Sequence, residues 1–134
     1  MRRKPAFSLA AVAFFLVVVL AFSALADDWV FLGRRTVALS GDVDEILVTA
    51  SEGTFKALQL RVRDTGVQFD RVVVVFRNGR TAEAAIRDFI PAGGSTRVFN
   101  LPGRERIIRK IILHYTTRPG TLDKAEVEAW GLRD

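Results

Sequence analysis

The sequence has no cysteine. Disulfides, Cys-ligated zinc, thiol redox chemistry and a cysteine nucleophile are therefore excluded, and the fold must be held by core packing alone. His114 is the only histidine, so no second one completes a common zinc set, which takes three or four protein ligands. A structural or surface histidine is the expectation there. No G-x-S-x-G elbow is present for a serine nucleophile, and Ser95, after Gly93-Gly94, has no recognisable base. No Gly-Lys-Ser/Thr follows the 91–95 loop, and no EF-hand spacing follows Asp42, Asp44 and Glu45. These absences leave no constellation for an enzyme and imply no metal or other cofactor. There is no internal repeat and no low-complexity segment.

Charge is missing from one long stretch. Residues 6–25 hold no charged side chain, and only Ser8 and Ser23 are polar. Arg2, Arg3 and Lys4 precede this run; Ala24-Leu25-Ala26 closes it, followed by Asp27-Asp28. A basic start, an apolar stretch and a small-x-small site, in that order, predict a cleavable secretory signal peptide over 1–26. The apolar run approaches the roughly 20 residues that span a bilayer, so an uncleaved anchor is the alternative. No cysteine ends the run to take a lipid, and Arg2-Arg3 lacks the context of a twin-arginine signal. The expected location is periplasmic or secreted, with membrane contact only through the signal peptide before cleavage.

Cleavage would leave residues 27–134 as one domain, 108 residues long, enough to bury a useful core. The whole chain has 20 basic against 15 acidic residues, a net charge of +5; without Arg2, Arg3 and Lys4 it falls to +2. A mildly basic domain of this kind does not point to nucleic acid.

What is present is a series of short β-branched runs between turn signals. Segments 29–33 and 34–39 open the domain, with a turn at Ser40-Gly41-Asp42, and 44–50 is a short strand. Segment 55–63 alternates, with Leu58, Leu60 and Val62 on one face and Gln59, Arg61 and Arg63 on the other, as a half-buried strand requires. Asp64-Thr65-Gly66 turns the chain. Residues 72–76 are apolar on both faces, which predicts a central strand, and Asn78-Gly79 is a hairpin signal. Segment 81–90 is open between helix and strand; its β neighbours favour strand. Segments 96–101, 106–115 and 124–131 are further strands, the second with Ile107, Ile111, Leu113 and Tyr115 on one face. About eight strands with Gly/Pro turns predict an all-β domain, a β-sandwich of jelly-roll type, with a closed barrel as the alternative.

The Leu32-Gly33 step, the alternating 55–62, the valine-rich 72–76 and the closing Val127-Glu128-Ala129-Trp130-Gly131, behind a signal-like start, resemble the YaaI-like family of small exported bacterial proteins, a domain of unknown function. The resemblance implies a periplasmic β-sandwich and carries over no catalytic residue. Members with a cysteine pair are part of that resemblance; this chain has none.

Arginine is the one compositional bias, with 14 Arg against 3 Lys in 27–134. Arginine takes planar anions bidentately, and Arg61 and Arg63 share a strand face. Aromatic rings on a sheet face suit sugar stacking, as aromatic side chains do at binding hot spots; Trp29, Tyr115 and Trp130 are the candidates. Glu126 and Glu128 share a face and are expected to keep a strand soluble rather than to act as a glycosidase pair. The expected function is a non-enzymatic binding module for an envelope glycan or an anionic lipid head group, using Trp130, Trp29, Tyr115, Arg61 and Arg63. The alternative is a structural domain that pairs with another envelope protein through an edge strand.

Overall fold

The computed structural model describes residues 28–49, 53–104 and 106–134. The predicted signal peptide, 1–26, lies outside the described residues, as do Asp27, Ala50, Ser51, Glu52 and Glu105. The described residues form strands and no helix: β1 (Trp29–Ala38), β2 (Val43–Leu47), β3 (Phe55–Arg63), β4 (Val67–Phe76), β5 (Thr81–Ala84), β6 (Phe89–Ile90), β7 (Phe99–Asn100), β8 (Ile108–Tyr115) and β9 (Lys124–Arg133). The protein is all-β.

Two antiparallel sheets result. The first runs β1-β9-β3-β7; the second runs β2-β8-β4-β5, with β6 also paired to β4. No ladder joins the two sheets among the described residues, so this is an open two-sheet packing rather than a closed barrel. Alternation sends one side of each strand inward. Leu58, Leu60 and Val62 of β3 and Ala125, Val127 and Ala129 of β9 face Val72 and Val74 of β4 and Ile111 and Leu113 of β8 across one contiguous core. Each fully buried Val, Leu, Ile or Phe contributes about 1.5–3 kcal/mol, which is how a chain without disulfides holds together.

The valine-rich segment lies centrally, between β8 and β5, which is why it is apolar on both faces. Segment 81–90 is extended, split into β5 and β6. The Asn78-Gly79 hairpin closes with Gly79 N donating to Phe76 O, and only Gly79 takes a positive φ, of 87°, as in a type I turn completed by a left-handed residue.

Register shifts break the face pattern at several places, and two of them bear on the core and the candidate site. A register shift between Val75 and Phe76 opposite β8 puts Ile108, not Ile107, beside Ile111 and Leu113 in the core. A second shift, between Phe31 and Gly33 of β1, leaves Leu32 buried while Phe31 and Arg34 are both exposed. A single added residue reverses the alternation beyond it.

Gly131 lies where the core leaves no room for a side chain. It sits on the inner side of β9, where an added Cβ would lie 2.7 Å from Phe55 Cδ1 and 3.0 Å from Leu32 Cδ1. The ring of Phe55 occupies the volume that any side chain at 131 would need.

Candidate ligand-binding face

Strand order decides which outward side chains become neighbours. Because β9 lies between β1 and β3, Trp130 is opposite Phe31 on one side and Gln59 on the other. The Phe31 and Trp130 rings meet edge-on, with centroids 5.5 Å apart and planes at 68°. The Arg61 guanidinium lies over the Trp130 ring, 4.2 Å from its centroid. Trp29 is opposite Leu132 and, two residues before Phe31, is on the same outer face. Phe31 is 43% exposed, and the other two rings are half-buried. Trp29, Phe31, Trp130 and Arg61 thus form one aromatic and cationic patch.

Polar groups hold this patch in place. Trp130 Nε1 donates to Glu128 Oε1 at 3.1 Å, and Arg63 Nε approaches Glu128 Oε2 at 3.3 Å. Glu128 is buried, and the indole N–H and the guanidinium together satisfy it, as a buried carboxylate requires. Arg34 and Glu126 extend the charged row at 3.9 Å. Gln59 accepts weakly from Arg61 Nε at 3.5 Å and donates to the Thr96 carbonyl at 3.1 Å. The buried Thr96 hydroxyl accepts from Leu60 N, so residues 93–96 are tied along the free side of β3.

A guanidinium stacked on a ring uses its face and leaves its in-plane N–H groups for a carboxylate. That makes Arg61 a directed anion donor beside an aromatic surface. Arg63, by contrast, already has its counter-charge in Glu128.

Four of the five predicted residues share this face: Trp130, Trp29, Arg61 and Arg63. Tyr115 does not. It belongs to β8 in the other sheet and is 2% exposed. Its hydroxyl donates to Asp44 Oδ2 at 2.8 Å and lies 3.2 Å from the Ala38 carbonyl. Burial first, and then the hydrogen bond to Asp44, raise the phenol well above its ordinary value of 10.0. Tyr115 is a packing residue, because it continues the buried side of Ile111 and Leu113. Alternation from Trp29 already sends Phe31 outward; what the sequence does not show is that Phe31 lies beside Trp130, which depends on strand order.

The acidic cluster does not converge. Asp44 is taken by Tyr115 and by Arg35 at 3.2 Å, while Glu45 pairs with Lys110 at 3.3 Å. Among the described residues no group of three His, Asp or Glu side chains is placed to hold a metal ion. His114 is half-buried on β8 and lines a cleft of about 640 Å³ with Asp42, Gln68, Asp70, Arg71 and Arg87.

The class defined so far is a two-sheet, all-β protein with an aromatic–arginine patch on the outer face of one sheet. The chain belongs to the family described as a domain of unknown function, DUF2541, whose model matches residues 10–131. No curated protein matches it. Among solved structures it is similar to Pseudomonas aeruginosa AlgX, at 17% identity and a TM-score of 0.54 over 78% of this chain. The match spans 27% of the AlgX chain, and the likeness is one of fold. The SPBc2 prophage-derived protein YomS matches 80% of this chain and 93% of its own, at 9% identity and a TM-score of 0.43.

Proposed function

We propose that this protein is an exported, non-enzymatic binding module of the YaaI-like kind, working in the periplasm or outside the cell, and that its ligand is an acidic envelope glycan. The observation that carries this reading is the Arg61 guanidinium held 4.2 Å over Trp130. A carboxylate-bearing sugar presents an apolar ring face and a planar anion side by side. The patch offers the exposed Phe31 ring to the first and the in-plane donors of Arg61 to the second. The signal-like start of the sequence supports the location.

The test is a thermal-shift titration of the purified protein with polygalacturonate, with dextran as the neutral control. Ligand at a hundredfold excess over Kd stabilises a native state by about 2.7 kcal/mol, several degrees in Tm for a domain of this size. Arg61→Gln and Phe31→Ala should each abolish the shift without unfolding the protein. No shift with polygalacturonate, or an unchanged shift in Arg61→Gln, would refute the reading. A second reading, an edge-strand interaction domain, is favoured by β2, an outer strand of its sheet with Val43 47% and Leu47 74% exposed. A Leu47→Lys variant that loses an envelope partner captured by the wild type would support it.

A further inference from the structure

We propose a second, separate site: the end of the molecule built by the β4–β5 hairpin and the 102–104 loop binds a phosphoryl anion through Arg77, Arg80 and Arg104. Two adjoining clefts, of about 600 and 490 Å³, lie there and share Asn78 and Arg104. Arg80 lines the first and Arg77 the second, and no carboxylate lines either among the described residues.

Most other arginines among the described residues have a partner, Arg87 and Arg109 being the exceptions, and neither of those two lines these clefts. Arg34, Arg35, Arg63, Arg71, Arg106 and Arg118 each face a carboxylate. The side chains of Arg77, Arg80 and Arg104 have no ionic, hydrogen-bond or ring partner among the described residues. Gathering like charges without a counter-ion works against the compact state. An anion that bridges them removes that repulsion.

The donor set selects the anion. Each guanidinium offers a fork of N–H groups matched to phosphate oxygens. Asn78 Oδ1 accepts the Arg80 backbone N–H at 3.0 Å, which leaves the amide NH₂ as a further donor. Three cations and an amide suit a dianion with three terminal oxygens better than a single carboxylate. Access is open: a Cβ at Gly79 or Gly103 would meet nothing within 4 Å. The site shares no residue with the Arg61 patch and does not depend on the glycan reading.

The anion has two sources, a soluble phosphate and a phospholipid head group, and two probes separate them. The purified protein is titrated with tripolyphosphate by calorimetry, and is sedimented with phosphatidic acid vesicles against phosphatidylcholine vesicles. Binding to either phosphate probe supports the site and names the source; binding to neither overturns it. Arg77→Gln/Arg104→Gln should weaken binding roughly tenfold per arginine. Arg87→Gln/Arg109→Gln removes the same charge elsewhere and should leave binding unchanged. Equal losses in the two variants would mean attraction by net charge alone and would overturn the proposal. Arg77→Lys/Arg104→Lys keeps the charge without the fork; it should also bind more weakly, and wild-type affinity in that variant would equally overturn it.

Discussion

Replacing Tyr115 by phenylalanine tests the packing role assigned to it, and the chain is suited to the experiment because Tyr115 is its only tyrosine. The substitution removes one oxygen. It leaves Asp44 Oδ2 without its 2.8 Å donor and the Ala38 carbonyl without its neighbour. A hydrogen bond to a charged group is worth about 1.5–3 kcal/mol, and Arg35 remains on Asp44, which favours the lower end. Urea unfolding should show a loss of about 1.5–2 kcal/mol with an unchanged m-value. The same contact has a signature in pH. The folded state raises the phenol above its ordinary 10.0, so it favours the neutral form. The stability linked to it is complete below about pH 10, where the unfolded phenol ionises, and is lost progressively above that. Ultraviolet titration of the native protein should show no phenolate near pH 10, while the protein in urea should titrate there. Tyr115→Phe should remove this contribution to the alkaline fall in stability. A native phenol ionising near pH 10, or a Tyr115→Phe loss under about 0.5 kcal/mol, would refute the assignment.

Further predictions concern other contacts. Gly131→Ala places a Cβ 2.7 Å from the Phe55 ring and should cost about 1–3 kcal/mol in urea unfolding. Glu128→Ala leaves the Trp130 N–H and Arg63 without their shared acceptor; stability should fall by about 1–3 kcal/mol, with a red shift in tryptophan fluorescence. Burial works against ionisation of Asp134, but hydrogen bonds from Thr54 and Arg106 and the charges of Arg106 and Lys56 hold its carboxyl below the ordinary 3.8. Its contribution is therefore present above that value and lost as pH falls below it, and Asp134→Asn should flatten the acid limb of stability against pH.

The period-two pattern of 55–63 and the apolar 72–76 segment made the two principal core strands legible in the sequence. The face of 106–115 was only partly legible, because the bulge opposite Val75 and Phe76 puts Ile108 where simple alternation puts Ile107. Tyr115 is legible as a core residue from its alternation with Ile111 and Leu113, although its chemistry alone suggests a binder. The Arg61–Trp130 stack depends on β9 entering between β1 and β3, and strand order leaves no local trace. The arginines at the hairpin end were hidden for a related reason: whether a cation is paired depends on where distant carboxylates fall.

That same strand order also sets a sequence of events in time. β1 and β3 have no direct ladder with each other; both are zipped to β9, which follows every other described strand along the chain. Trp29 must wait for Leu132, and Phe55 for Arg133. However the chain emerges, from N-terminus to C-terminus, the first sheet stays an unfinished pair of strands until the end arrives. Pairings so distant in sequence form slowly, on the order of milliseconds to seconds. The second sheet has all its strands before β9 and needs nothing from it, whereas the first closes only once that last strand is free.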